Sequence, residues 1–349
     1  MKKISAIIVI VLSIILSFTG CRGSNEDEMD PDITEKKIQI GLSFDSFVIE
    51  RWQRDREVFV STAQDLGAEV NVQNANGDVE EQISQIQYFI DKKMDVIVVI
   101  AVDSEACSNV LKDAKEAGII VVSYDRLVRN ANADLYISFD NEEVGRLMAE
   151  TLAKEVPEGG NIVTIFGPTT DHNVTLVEQG FQDVMEDIDL NVIYSVNAKE
   201  WLAEEAFNAV NVALDINPDI DGILCGNDGL ASQAVRALSE NRLAGKVVVT
   251  GQDADLVACQ RIVEGTQTMT VYKPVDRLAK AAAEYAVKLA EGEDISVTAT
   301  INDGSHEVPY VKLEPIAVNQ DNLYEVIIEG GFQQEEEVYL NFPKNRKNK

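Results

Sequence analysis

Along this chain, short apolar runs rich in β-branched residues alternate with stretches whose apolar positions recur every three or four residues, and each run stops on polar side chains. Residues 246–255 (KVVVTGQDAD) show the arrangement: three valines in a row, Gly251 as a break, then Gln252, Asp253 and Asp255 just beyond. A continuous apolar run of this length reads as a strand buried on both faces, as in a parallel sheet covered by helices. The same pattern recurs at 38–45 (IQIGLSFD), 119–126 (IIVVSYDR), 162–168 (IVTIFGP) and 222–228 (GILCGND). In open α/β sheets, ligands sit beyond the carboxyl ends of the strands. Strands that end in Asp, Asn or Arg therefore point at one polar pocket.

In chain order, strand 38–42 leads into helix 50–66, which Gly67 terminates, and strand 69–72 precedes an Asn76-Gly77 turn. Helix 79–92 places Ile83, Ile86, Phe89 and Ile90 on one face. Strand 96–101, helix 105–117 and strand 119–123 follow. After Ser138-Phe139-Asp140 the pattern starts again with helix 141–156, strand 162–166, helix 173–188, strand 192–196, helix 203–215, strand 222–225, helix 230–241 and strand 247–250. Asp95 and Asp221 hold matching places in the two halves, each just before the strand that follows the second helix. Helix 254–263 and strand 268–272 reach Lys273-Pro274, after which 275–291 is a long Ala-rich helix. The tail from Ser296 reads as a few irregular strands restricted by Pro309 and Pro315.

Strand and helix alternating in this way specify an α/β fold with two doubly wound parallel-sheet lobes of similar plan. Chain crossings near 138–140, 272–274 and 303–305 predict a three-segment hinge. The first lobe is then 37–138 plus 274–303, the second is 139–273 plus 304–340, and 341–349 is a disordered basic tail. A length of 349 residues suits two ordinary domains.

The first residues change the picture. Lys2 and Lys3 precede an apolar run that ends in Thr19-Gly20-Cys21, which has the charge order and length of a signal peptide. Small residues directly before a cysteine look like a lipoprotein cleavage site, with Cys21 lipidated and the body held outside the cytoplasm. An uncleaved membrane anchor is the alternative. Residues 22–36 are polar and free of periodicity, as a tether would be. A net charge of −30 without a basic patch excludes a nucleic-acid partner. Cys107, Cys225 and Cys259 have no CxxC spacing; one disulfide with one free thiol, or three buried thiols, both fit.

Phosphate loops, dinucleotide fingerprints, HExxH, GxSxG and EF-hand loops are missing, and His172 and His306 are the two histidines. No metal, no cofactor and no enzymatic activity is therefore expected, and a Ser/His/Asp triad stays open only through His172. What remains suits a sugar. A pyranose has an apolar C–H face and a ring of hydroxyls, so it calls for aromatic plates and charged, planar hydrogen-bonding groups. Both tryptophans of the chain, Trp52 and Trp201, fall beside strand ends, one in each half. Trp52 has a second reading as a buried helix residue, and each polar group one as a helix cap or turn residue, Asp255 above all.

Residues 50–56 (ERWQRDR), 124–126 (YDR), 136–142 (YISFDNE), 226–228 (GND), 251–255 (GQDAD) and 265–274 (GTQTMTVYKP) carry a resemblance. They resemble the xylose-binding branch of the ribose/galactose-type periplasmic binding proteins that serve ABC sugar transporters, over about 37–335. The resemblance implies the type I periplasmic binding protein fold. It also implies that Trp52 and Trp201 stack on the sugar, while Arg51, Asp125, Arg126, Asn173, Asn227, Asp253 and Lys273 hydrogen-bond its hydroxyls and ring oxygen. Residues 169–174 (TTDHNV) depart from that branch. A monosaccharide, xylose foremost, and a transporter permease are the implied partners of a monomer anchored through Cys21. The alternatives are a sugar sensor that docks on a membrane histidine kinase, another aldose as ligand (glucose, ribose, arabinose or galactose), or an exported glycosidase. The ligand-binding half of a sugar-responsive repressor is disfavoured by the signal segment and the missing DNA-binding headpiece.

Overall fold

A computed structural model describes residues 37–342. The expected signal segment, Cys21, the tether and most of the basic tail lie outside the described residues.

Two sheets with helices on both faces carry the fold. The first half supplies β1 (Gln39–Phe44), α1 (Arg51–Asp65), β2 (Glu69–Asn74), α2 (Val79–Asp91), β3 (Val96–Val99), α3 (Ser108–Glu116), β4 (Ile120–Tyr124) and β5 (Leu135–Phe139). After α4 (Asn141–Glu155) come β6 (Asn161–Phe166), α5 (His172–Met185), β7 (Asn191–Asn197), α6 (Glu204–Ile216), β8 (Gly222–Cys225), α7 (Asp228–Glu240), β9 (Val248–Thr250), α8 (Leu256–Glu264) and β10 (Met269–Tyr272). The chain closes with α9 (Val275–Ala290), β11 (Thr300–Asn302), β12 (Glu307–Leu313), β13 (Ile316–Asn319) and the short α10 (Glu335–Val338). None of the helices among the described residues is long and apolar enough to cross a membrane.

The first sheet runs β11-β12-β5-β4-β3-β1-β2, and all of its pairings are parallel except β11 with β12. The second runs β7-β6-β8-β9, all parallel, and β10 and β13 form a separate antiparallel pair. Each main sheet has a core on both faces, as continuous apolar strands require. In the first, α1 and α9 cover one face with Trp52, Phe59, Leu278 and Ala282, while α2 and α3 cover the other with Ile86, Phe89 and Leu111. In the second, α6 and α7 lie on one face and α4 and α5 on the other.

Matching aspartates fix matching strands. Asp95 Oδ2 accepts the Gln39 backbone N–H at 2.9 Å, and Asp221 Oδ2 accepts that of Asn161 at 2.8 Å. The expectation that the two halves share a plan thus holds at their strand starts. Gly67 ends the first helical segment in the left-handed conformation, with φ of 84°.

The structure corrects the expectation at three places. Residues 135–139 form a strand, β5, which joins β4 in parallel through a loop with no crossover helix; LYISF is too short and too evenly apolar to declare itself beside the restart of the pattern. The third chain crossing lies at Glu314-Pro315, not at 303–305, so residues 307–313 leave the second lobe. β12 is needed as the parallel partner of β5: Tyr310 stacks on Tyr136 with ring centroids 4.7 Å apart and donates its hydroxyl to Phe139 O at 2.8 Å. The sheets also differ in size, because β11 and β12 lengthen the first to seven strands against four in the second.

Helices α4 and α5 meet through two glycines. A Cβ on Gly145 would stand 2.0 Å from Val177 O, and one on Gly180 would stand 1.8 Å from Glu142 O. These contacts bring the two backbones together, and with them the helix starts that carry Asn141 and Asn173. Gly180→Ala is expected to force the helices apart at a cost of about 1–3 kcal/mol, read as a lowered thermal midpoint, whereas an unchanged midpoint would show that the pair has room to separate.

Candidate functional site

The polar residues beyond the strand ends meet in one cavity between the two sheets. Its walls include all nine residues singled out from the sequence: Arg51, Trp52, Asp125, Arg126, Asn173, Trp201, Asn227, Asp253 and Lys273. Arg51 and Trp52 come from the first turn of α1, Asp125 and Arg126 from the loop after β4, and Asn173 from the start of α5. Trp201 sits in a short 3₁₀ turn after β7, Asn227 follows β8, Asp253 follows β9 and Lys273 follows β10.

The charges in this cavity are buried and paired. Arg51 grips Asp55 one turn along its own helix, Nε to Oδ2 at 3.1 Å and Nη2 to Oδ1 at 2.9 Å, and its Nη1 lies 2.9 Å from Asp125 Oδ2. The Tyr124 hydroxyl also donates to Asp55. Arg126 Nη1 donates to Asp45 Oδ2 at 2.8 Å and to Ala101 O at 2.9 Å, and its Nε lies 2.8 Å from Asp171 Oδ2. Lys273 Nζ stands 2.8 Å from Asp253 Oδ1. Burial pushes the Asp125 carboxyl up, but Arg51, Lys273 and Arg126 outweigh it and hold the group below the usual carboxylate range. Asp45 goes the other way, because burial raises it more than Arg126 lowers it.

Among the cavity-lining residues, Arg51, Arg126 and Lys273 balance Asp125, Asp171 and Asp253. A site neutral in sum yet lined with strong donors and acceptors fits an uncharged ligand with many hydroxyls. Three lining residues keep a buried polar atom without a protein partner: Trp52 Nε1, Arg126 Nη2 and Gln252 Oε1. Buried polar groups are normally bonded, so these atoms are candidates to meet a ligand.

Both tryptophans are held as plates. The guanidinium carbon of Arg51 lies 4.4 Å from the Trp52 ring centroid, and that of Arg126 lies 5.7 Å from it. Trp52 is also a buried residue of the first core, so its helix-core and pocket readings both hold. The indole of Trp201 lies on bare backbone: a Cβ on Gly167 would stand 2.3 Å from it, and one on Gly226 would stand 3.2 Å away. Three site residues adopt left-handed backbone, Asp125 with φ of 61°, Trp201 of 59° and Asp253 of 97°. Such conformations cost energy in non-glycine residues and persist where the surroundings impose them, as at ligand clamps.

The capping alternatives resolve residue by residue. Asn227 does cap α7, its Oδ1 accepting the Leu230 N–H at 2.8 Å, while also lining the cavity. Asp255 stands at the start of α8 but makes no side-chain cap bond, which corrects the expectation placed on it. The cap of α5 is Asp171, a cavity residue the sequence reading missed, as it missed Asn141; Gln252, noted beyond its strand but not singled out, lines the cavity too. Asp171 was visible as an Asp preceding a helical pattern; its second role was not. Cys107, Cys225 and Cys259 are buried free thiols, so the disulfide alternative falls. His172 begins α5 but does not line this cavity.

A polar cavity at the strand ends of two doubly wound sheets, joined by several chain crossings, defines a type I periplasmic binding protein. The chain belongs to that family: the model of the periplasmic binding protein domain matches residues 40–294. It is 45% identical over 309 residues to the D-xylose-binding periplasmic protein of Haemophilus influenzae, covering 87% of this chain and 93% of that one. It is 44% identical over 308 residues to the D-xylose-binding periplasmic protein of Escherichia coli, with the same coverage. Among solved structures, it is similar to a carbohydrate transporter solute-binding protein from Chloroflexus aurantiacus in complex with D-glucose, with a TM-score of 0.80 and 25% identity over 86% of this chain and 98% of that one.

Just behind the cavity, Asp228 is fully buried, taking Gln267 Nε2 and Thr270 Oγ1 at 2.7 Å each. Burial pushes its carboxyl up to about 7, against the pull of Arg261 and of those two hydrogen bonds. In an unfolded chain Asp ionises near 4, so the stability linked to this proton is complete below that value and is withdrawn as pH rises through about 7. Between about pH 5 and pH 8 the thermal midpoint of the protein should fall further than that of Asp228→Asn, and parallel profiles would remove Asp228 as the cause.

Proposed function

We propose that this chain is the extracytoplasmic solute-binding component of an ABC-type sugar importer, holding one monosaccharide, D-xylose foremost, and delivering it to a membrane permease. The observation that carries this reading is the cavity itself, where three buried cations offset three carboxylates beside two indoles. A neutral ring of hydroxyls can use every one of those groups, whereas a charged ligand would leave one sign unmatched. The names of the two relatives that bind D-xylose, and of the glucose-bound structure, support a sugar as the ligand and xylose as the first choice. Tethering through a lipid on Cys21 and action as a monomer belong to the same proposal.

In this reading Trp52 and Trp201 contact the apolar faces of the sugar, and Arg51, Asp125, Arg126, Asn173, Asn227, Asp253 and Lys273 bond its hydroxyls and ring oxygen. Because Asp125 and Arg126 come from the first sheet and Asn173, Trp201, Asn227 and Asp253 from the second, a bound sugar bonds both at once. That differential affinity favours the closed arrangement, which is the form a permease would read.

Binding without catalysis is favoured over glycoside hydrolysis by how the carboxylates are held. A glycosidase needs one carboxyl kept protonated as general acid. Here Asp125, Asp171 and Asp253 each face a cation at 2.8–2.9 Å, and Asp125 is held below the usual range.

Calorimetric titration of the purified protein with xylose, glucose, ribose, arabinose and galactose tests the proposal. Xylose is expected to bind at micromolar concentration or below, and Trp201→Ala and Asp253→Ala are each expected to weaken it by at least about tenfold. Unchanged affinity in both variants would overturn the pocket assignment, and tighter binding of another aldose would move the ligand away from xylose.

A further inference from the structure

Asp171 serves three partners with one carboxylate. It is 3% exposed and stands at the start of α5, where its Oδ1 accepts the Asn173 backbone N–H at 3.0 Å. Its Oδ2 lies 2.8 Å from Arg126 Nε and accepts the Trp201 Nε1–H at 3.3 Å. Arg126 follows β4 of the first sheet, and Trp201 follows β7 of the second.

This contact lies in a seam between the strand-end loops of the two sheets. On one side, the Ser104 N–H donates to Thr170 O at 2.9 Å. On the other, Asn173 Nδ2 donates to Asp125 O at 3.1 Å, and the Tyr136 hydroxyl donates to Asn173 Oδ1 at 3.3 Å. The other cavity ion pairs each stay on one side: Arg51 with Asp125 belongs to elements of the first sheet, and Lys273 with Asp253 follows β10 and β9. Lys312 with Asp140, at 2.6 Å, lies at a chain crossing. Among the described residues, Arg126 with Asp171 is therefore the ion pair that joins the cavity-lining loops of one sheet to those of the other.

Trp201 depends on outside support. Glu200 and Trp201 both have positive φ, 51° and 59°, and the indole rests on the glycine backbone of Gly167 and Gly226. A flat floor sets the plane of the ring but not its rotation within that plane. The polar contact that fixes the rotation is the bond from Nε1–H to Asp171.

We propose that Asp171 is a positioning residue that joins the Arg126 guanidinium and the Trp201 indole into one unit, so that the grip of Trp201 on the ligand depends on closure across Arg126. This inference rests on the sugar-binding reading and deepens it. Opening of the cleft separates Arg126 from Asp171 and frees one restraint on the ring; closure restores both together. Loss of the bridge then acts on the bound, closed state and falls mainly on escape of the ligand.

The test uses Asp171→Ser in the full chain, because serine still caps α5 but is too short to reach either Arg126 or Trp201. Stopped-flow fluorescence with D-xylose, and with the other aldoses as probes, is expected to give a dissociation rate raised at least about tenfold and an association rate within about threefold of the original. In calorimetry, Trp201→Phe, which keeps the plate and removes the N–H, is expected to weaken the original protein several-fold yet change the Asp171→Ser variant less than about twofold. An unchanged dissociation rate, or independent effects of the two substitutions, would overturn the inference. If the serine variant does not fold, Asp171→Asn, which keeps volume and cap while losing the charge, enters the same cycle, and the same two results support or overturn the inference. A failure of the original protein to bind any aldose would overturn the sugar reading itself, a result distinct from normal binding by both proteins, which would sink the role of Asp171 alone.

Discussion

A guanidinium or carboxylate taken out of water into a protein interior costs several kcal/mol unless an opposite charge meets it at bonding distance. At the floor of this cleft Arg51, Arg126, Asp55, Asp125, Asp171 and Asp253 are all buried, together with Lys273. They persist there because they form two alternating series: Asp55, Arg51 and Asp125 in one, Asp45, Arg126 and Asp171 in the other, with Lys273 set against Asp253. The pairs that stay on one side, Asp55 with Arg51 and Asp125, Asp45 with Arg126, and Asp253 with Lys273, fix one another without the other sheet, so those donors and acceptors stand oriented before any ligand arrives. Preorganisation of this kind spares a ligand the ordering of the groups it meets.

Keeping these charges in register requires a rigid frame with local concessions. The frame is the pair of main sheets, whose central strands are buried on both faces and cannot slip without turning apolar side chains to solvent. The concessions are the left-handed backbones at Asp125, Trp201 and Asp253, and the bare glycine surface beneath Trp201. At Asp125 the strained turn sends the carboxylate toward Arg51 while leaving its carbonyl oxygen to accept from Ser138 Oγ and Asn173 Nδ2. One residue thereby ties β5, the start of α5 and the cleft floor together.

Much of this was legible in the sequence because its causes are local. Three valines stopping at Gly251 mark a buried strand, and residues just beyond a parallel strand's carboxyl end face the ligand crevice; Asp125, Asn227 and Asp253 could be located by that rule alone. Asp171 could not. It follows β6 after four loop residues, and its capping role hides its bond to Trp201, 30 residues along the chain, and its bond to Arg126, which arises only when the two sheets come together. β5 and β12 escaped for a similar reason, since β5 joins β4 with no crossover helix between them, β12 lies far along the chain, and the two are placed by their pairing with each other. Local pattern specifies elements; partners far apart in sequence specify which edge they join.

Placing β12 in the first sheet bears on how the cleft can move. The chain passes between the sheets at Asp140, at Lys273-Pro274 and at Glu314-Pro315, so any rotation of one sheet against the other has to be absorbed at those few positions. Proline at two of them restricts the backbone before and at the crossing. The crossings also carry charge: Lys312 holds Asp140 at 2.6 Å, and Lys273 holds Asp253 inside the cavity. Lys273 therefore lines the cavity and stands at a crossing at once. A group that met Lys273 in the cavity would touch the residue just before Pro274, where the backbone at the crossing has least freedom to turn.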